Sequence, residues 1–552
     1  MRTLLFGLAL LTAYALPGQS SLASKNTELI GLIGEVQSGR DVFEQELTFD
    51  ESAPYRLQLF VTEIDQRGNE ERREYQLNLA LIDPNLVRWS DGRDRIEVNL
   101  RSGRDKVVKV FEDGELDGYE SEAAILATDV DNARAMEALL KEMIPLAREA
   151  WESDTSLPED YDALKKWVAD HLGNVAIGDD SYEQQWINAD DHPNRMRFVL
   201  TETDSRNSST TIYDMNLADI HPPSIEVNVR GKEVTIELQT AQRADFIRVE
   251  EDGEQRNYTN SLSLHCAEVD EAQTMAYALR QLIPKAQATE ESMQPATADP
   301  ATATEALQEL LTEFKQDDTS IRQSLYGTCE VTYTRIEDDG EAEEQQFIFN
   351  FADLQPNKVE IDVRGTAIEV TVETAGGENF IYVSKNGEQQ NYADDLSFPA
   401  PDIPSAKLIR HYLVQLIEQC PKEIAPADWE GIQAAIAEAE TYAEGLFQQV
   451  ELLEGDACKW GLTVQEEGSR RSSEERYEFN LYDLDARRME LGVRGKDVSI
   501  NLLTLRNDEI IKNYTDGEEL GYEKEVSFRV KDIATGKAVI AGLQVLIGGC
   551  EE

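Results

Sequence analysis

The chain reads as an α+β protein built from four tandem copies of one domain-sized unit. Each unit is expected to hold an N-terminal helix, about seven antiparallel strands and a C-terminal capping helix. Three observations predict this. The motif [Asp/Asn]-Gly-Glu-x-x-[Gly/Asn]-Tyr occurs four times, at Gly114/Tyr119, Gly253/Tyr258, Gly387/Tyr392 and Gly517/Tyr522, with glycines 139, 134 and 130 residues apart. Short runs between the motifs alternate apolar and polar residues, as in 359–363 and 368–372, which marks strands buried on one face. Finally, 552 residues are too many for one core, and the period is far longer than that of a solenoid repeat.

The elements follow in order. Helical patterns open the later units at Asp162 to Val168, at Thr304 to Leu311, and over a longer Ala/Glu-rich stretch from Asp428 to Val450. In the third unit, strands are expected at 329–336, 347–351, 359–363, 368–372, 380–384, 388–392 and 396–399, before a helix near 404–418. Asp-Gly or Asn-Gly between two strands supplies the two positive-φ residues of a type I′ hairpin. The residue before each motif tyrosine (Gly118, Asn257, Asn391, Gly521) is expected to kink the strand and turn the ring inward, with its hydroxyl on a partner. Asn78, Asn216, Asn350 and Asn480 recur at a strand end, where a side-chain bond to backbone is expected. Turn and core roles explain these recurring Tyr and Asn residues more simply than a ligand site used four times.

Seven strands in hairpin order with one closing helix resemble the pleckstrin-homology-like barrel, which implies a barrel in each unit; a strongly curved, unclosed sheet is the alternative. Phosphoinositide-binding members of that class carry basic residues between the first two strands. Here that loop holds Arg67, Arg72 and Arg73 in the first unit and Arg470, Arg471 and Arg476 in the fourth, but an acidic run with no base from Asp338 to Glu344 in the third. Four discordant loops do not make a common anionic headgroup site.

The predicted organisation is a signal peptide over 1–23, repeat domains at 24–151, 156–288, 304–422 and 426–552, and a flexible linker at 289–303. Shorter linkers are expected near 152–158 and 421–426. Arg2, the apolar run Leu4 to Leu11 and the small residues Ala13 and Ala15 read as a secretory signal, with Ser21/Ala23 as a second cleavage candidate. No later segment reads as a membrane span. Export to the periplasm, cell surface or medium is therefore expected. Net charge is −56, which speaks against nucleic acid and anionic membranes, because both need clustered Lys and Arg.

Of five cysteines, Cys329 and Cys420 occupy the same two places in the third unit as Cys458 and Cys550 in the fourth, 91 and 92 residues apart. The first two units lack both, with Tyr55/Ala147 and Asn194/Ala286 at the aligned places. Paired presence and paired absence in an exported chain predict two disulfides. Cys266 is left over and reads as a buried small hydrophobe.

His171, His192, His221, His265 and His411 are scattered, with no metal-ligand spacing, and no nucleophile elbow or phosphate-cradling loop occurs. No catalytic, cofactor or metal residue is assigned. The resulting expectation is a non-catalytic, exported, multidomain protein that binds an unidentified protein partner. Two alternatives stand beside it: a small apolar ligand or lipid held inside the barrels, and a hydrolase confined to the second unit near His192, His221 and His265.

Overall fold

A computed structural model describes residues 17–550 apart from 93–94, 104, 190, 423, 444 and 468–471; the apolar core of the signal segment and Arg470–Arg471 lie outside the described residues. The chain forms two compact units, Met1–Gln294 and Pro295–Glu552, each containing two modules.

Module 1 begins with α1 (Pro17–Leu32). Its strands are β1 (Val36–Ser38), β2 (Asp41–Phe49), β3 (Arg56–Ile64), β4 (Glu70–Asn78), β5 (Arg88–Asp91), β6 (Ile96–Arg101), β7 (Val108–Glu112), β8 (Glu115–Glu120) and β9 (Glu122–Ala127), followed by α2 (Val130–Thr155). Two antiparallel sheets result, in the orders β1-β2-β3-β4-β7-β8 and β5-β6-β9. Helix α2 turns Met136, Leu140, Met143 and Ile144 onto the core shared with Leu22 and Leu29 of α1. The same strand order recurs in modules 2 and 3, and module 4 repeats it without the short first strand.

The helices of the other modules are α3 (Tyr161–His171), α4 (Val269–Met293), α5 (Pro300–Leu310), α6 (Ile403–Gln419), α7 (Trp429–Ala437), α8 (Ala439–Tyr442) and α9 (Ile533–Cys550). Modules 1 to 3 thus have nine strands each, not seven, because two strands precede the expected first one. Among the described residues no ladder closes either sheet into a barrel.

A glutamine links the two sheets of every module, buried in modules 2 and 4 and half-buried in modules 1 and 3. Gln45, in the middle of β2, donates from Nε2 to Leu126 O (2.9 Å) and accepts at Oε1 from Leu126 N–H (2.7 Å) on β9. Gln184 makes the same pair of bonds to His265, and Gln448 to Arg529. In module 3 the equivalent residue is Pro399, which has no N–H to give. Gln323 Nε2 still bonds Pro399 O (2.9 Å), and its Oε1 accepts instead from the Tyr333 hydroxyl (2.6 Å). The residues at the place of Tyr333 in the other modules are Leu59, Phe198 and Leu462, so the hydroxyl appears only where the N–H is missing.

Local chemistry fixes the turns. Asp113, Asp252, Asn386 and Asp516 have φ near 50° and each is followed by a positive-φ glycine, as a type I′ turn requires. The turn's carboxylate or amide also accepts a neighbouring strand's N–H, at Thr210 (2.9 Å), Glu344 (2.9 Å) and Glu474 (3.2 Å). Asn78, Asn216, Asn350 and Asn480 each accept the N–H two residues on and start a 3-10 turn. The kink expected before the motif tyrosine is narrower than predicted. Of Gly118, Asn257, Asn391 and Gly521, only Gly521 has positive φ, and ladder irregularities occur in modules 1 and 4.

Both disulfides are formed, Cys329–Cys420 and Cys458–Cys550. Each ties the chain just before the third strand of the common order, the second one present in module 4, to the end of the closing helix. Module 2 makes this tie with hydrogen bonds: Asn194, fully buried, donates to Ala286 O (3.0 Å) and Glu290 (2.7 Å). In module 1 the aligned Tyr55 is buried, and its pKa is raised by burial and then by the Asp154 carboxylate on α2.

Two expectations about helices fail. The stretch 428–450 is not one helix: α7 ends at Ala437, α8 ends at Tyr442 with Ala443 already extended, and Leu446–Leu452 is a strand. Helix α9 is long and apolar enough to cross a membrane by length and composition. It stands in the place of α2, buries Val539, Leu543 and Ile547 in the module core, and ends in the Cys458–Cys550 bond.

Candidate functional site

The motif tyrosines occupy unlike environments. Tyr119 and Tyr392 are buried, Tyr258 is half-buried, and Tyr522 is 52% exposed. The inward orientation expected of all four fails at Tyr522 for a simple reason: Tyr119 and Tyr392 owe part of their cover to the following module of their own unit.

In unit 1 the cover is the start of α4. Glu268 precedes this helix and Asp270 lies in its first turn, a position where the helix dipole favours acids. Lys109 Nζ bonds Glu268 at 3.0 Å, and Arg56 Nε lies 3.3 Å from Asp270. Burial first, then these two carboxylates, raise the Tyr119 pKa. Trp151 packs on Tyr277 at 5.4 Å between ring centroids. A surface cleft of about 340 Å³ opens beside this contact, with Arg56, Trp167, Glu268, Asp270 and Met275 in its wall.

Unit 2 repeats the arrangement. Tyr392 N–H donates to Gly495 O (2.9 Å), and Gln389 Nε2 to Lys496 O (3.1 Å). Asp532, the counterpart of Glu268, caps α9 through Thr535 N–H and faces Tyr392, whose pKa is raised by burial and then by this carboxylate. Lys537, five residues on, pairs with Asp353 and lies 4.6 Å from the centre of the Phe380 ring. Phe380 and Tyr382 pack against the module 4 core. One tyrosine face and one helix-cap face therefore meet at each junction.

Module 4 presents the same tyrosine face uncovered. Tyr482, Ile510 and Tyr522 stand where module 3 has Ala352, Phe380 and Tyr392, and they are 48%, 40% and 52% exposed. Leu520 beside them is 67% exposed. Asp483, the counterpart of the paired Asp353, is half-buried, its pKa is raised by burial, and it has no partner among the described residues.

The remaining candidates do not converge. His265 is buried against the Tyr182 ring (3.8 Å between centroids), 3.6 Å from Glu233, and burial lowers its pKa. His192 lies 3.7 Å from Glu290. His265 precedes α4 whereas Glu290 is near its far end, so the two histidines are separated by most of a helix about 35 Å long. His221 is exposed, with its backbone N–H on Gln239 O. Cys266 is free and buried, its thiol pushed up to about 12 by burial and then by Glu271. Arg73 is paired with Glu112 and Arg476 with Glu451, whereas the Arg72 guanidinium lies 4.6 Å from the centre of the Phe60 ring.

Sequence reading missed the sheet-bridging glutamines and the junction partners. The glutamines had a detectable signal, the recurring apolar-x-Gln-x-apolar of 43–47, 182–186, 321–325 and 446–450. The junctions had none, because their ion pairs join residues more than 150 positions apart. No protein-family model matches the chain, and neither does any curated protein or solved structure.

Proposed function

We propose that the protein is an exported, non-catalytic scaffold that binds other proteins through the tyrosine-motif faces of its modules. The observation that carries this reading is the use of that face: modules 1 and 3 hold another module with it, and module 4 offers the same face to solvent. Exposed aromatic and aliphatic side chains grouped beside charged ones have the composition of a contact surface. A small apolar ligand has weaker support, since the cleft at the unit 1 junction carries Arg56, Glu268, Asp270 and Glu271 in its wall.

Two disulfides suit a chain that folds in an oxidising compartment. Of the two cleavage candidates we favour the one after Ala15, because cutting after Ala23 would remove Leu22, which is fully buried in the unit 1 core.

The test is capture from the native envelope or medium with the mature chain and with a Leu520→Asp/Tyr522→Asp variant. Proteins held by the first and released by the second support the reading. Identical recovery by both, or recovery of nothing specific, refutes it.

A further inference from the structure

The open face of module 4 has a complement elsewhere in the chain, the helix-cap face of module 1. Asp129 caps α2 through Asn132 N–H (2.8 Å), as Asp532 caps α9 through Thr535 N–H. Arg134 stands five residues after Asp129, as Lys537 stands five after Asp532. Asp131 occupies the place of Asp270, and Asp129 that of Glu268. Arg134 and Asp131 are 63% and 93% exposed and are paired with each other across one helical turn.

On the module 4 side, Lys459 stands where module 1 has Arg56, Lys512 where it has Lys109, and Tyr522 where it has Tyr119. Setting one face on the other as at the existing junctions would bring Lys459 to Asp131, Lys512 to Asp129 and Asp483 to Arg134. Each pair copies one already present: Arg56–Asp270, Lys109–Glu268 and Asp353–Lys537. The cap face of module 3 matches less well, because Pro404 stands at the place of Asp131.

We infer that the chain associates with copies of itself head to tail, module 4 of one copy seated on module 1 of the next. This rests on the scaffold reading and names its partner as a second copy of the same chain. The half-buried Asp483 gains its missing partner, and Tyr482, Ile510, Leu520 and Tyr522 lose their exposure. Because the two faces differ, a pair of copies leaves one of each unfilled, so the contact propagates into chains or rings. In a molecule of charge −56, association needs local complementarity of this kind to offset overall repulsion.

Sedimentation equilibrium of the full mature chain, with its disulfides intact, tests the inference. Average mass should rise with concentration beyond that of one chain. Asp483→Arg and Arg134→Asp should each weaken association about tenfold or more, and the two together should restore it. Tyr522→Asp is a third probe on an exposed side chain, and circular dichroism checks that all variants are folded. A monomer at every concentration, self-association indifferent to these changes, or a double variant no better than the singles overturns the contact. A monomer that still captures other proteins through Tyr522 overturns head-to-tail assembly alone. Self-association without capture of any other protein supports the contact and refutes only the wider set of partners.

Discussion

Gln323, Tyr333 and Pro399 form a three-part device whose energetics can be reversed in sign. Replacing Gln323 by leucine removes the amide that joins the two sheets of module 3. It strands the Pro399 carbonyl and, more seriously, the Tyr333 hydroxyl, which sits on a completely buried ring. An unsatisfied buried polar group costs about 1–3 kcal/mol, so Gln323→Leu should destabilise the module by about 3 kcal/mol after the gain from burying leucine. Tyr333→Phe in the native background removes one hydrogen bond and should cost about 1 kcal/mol. In the Gln323→Leu background the same change removes a stranded hydroxyl, and it should stabilise by about 1 kcal/mol.

Amide exchange resolved to the segments 319–327 and 395–399 reads this locally, without confusion from the other modules. Exchange there should accelerate roughly 100-fold in Gln323→Leu and partly recover in the double variant. If Tyr333→Phe costs the same in both backgrounds, the hydroxyl is not standing in for the absent N–H and the reasoning is wrong.

Two further outcomes follow from the same packing. Asn194→Cys/Ala286→Cys should form a third disulfide at the place filled by Cys329–Cys420 and Cys458–Cys550. Thiol titration of the unfolded double variant should then find Cys266 alone, whereas three reactive thiols would disprove the equivalence. His265 is held neutral by burial, with its pKa below the ordinary 6.5 and Glu233 as the opposing influence. The unfolded chain then takes up this proton at a higher pH than the folded one, so the contribution is complete above 6.5 and is lost as pH falls toward the depressed folded value. His265→Phe keeps an aromatic ring against Tyr182 and should gain on the wild type in urea unfolding below that pH; an unchanged difference would refute this.

What the sequence made legible is what short-range chemistry decides. The Asp-Gly turns, the Asn at the end of the fourth strand and the paired cysteines each state a requirement that few residues meet. The second strand of each module was not legible, because the bridging glutamine sits at its middle inward position. Phe43, Gln45 and Leu47 share one face, but only the outer two are apolar, and a pair of hydrophobes four apart reads as well for a helix as for a strand. In module 4 the same disguise, Leu446-x-Gln448-x-Val450, merged a strand into the preceding helix. The junction was illegible for another reason. Which side chains cover Tyr119 or Tyr392 depends on how two modules dock, and nothing local encodes that.

The three ways of tying the third strand to the closing helix bear on how the two units are built. In unit 1 a single buried cluster runs through both modules, from Leu22 to Ala286, so α2 is held by its own module and by the next. The buried Tyr55 ring and the hydrogen bonds of Asn194 then fix the helix ends. In unit 2, among the described residues, the core of module 4 takes only Tyr392 from module 3 as a buried member, with Phe380 and Tyr382 at its margin. A helix held chiefly by its own module has more freedom to fray, and a covalent tie there removes about 4–5 kcal/mol of loop entropy from the unfolded chain. Cross-links therefore fall where the shared core is thinnest. Cys458–Cys550 also holds α9, the helix whose first turn completes the junction over Tyr392, in the module whose tyrosine face around Tyr522 stays open. A rigid support beneath an exposed aromatic face lowers the entropy lost when something docks on it, which is what a binding surface requires.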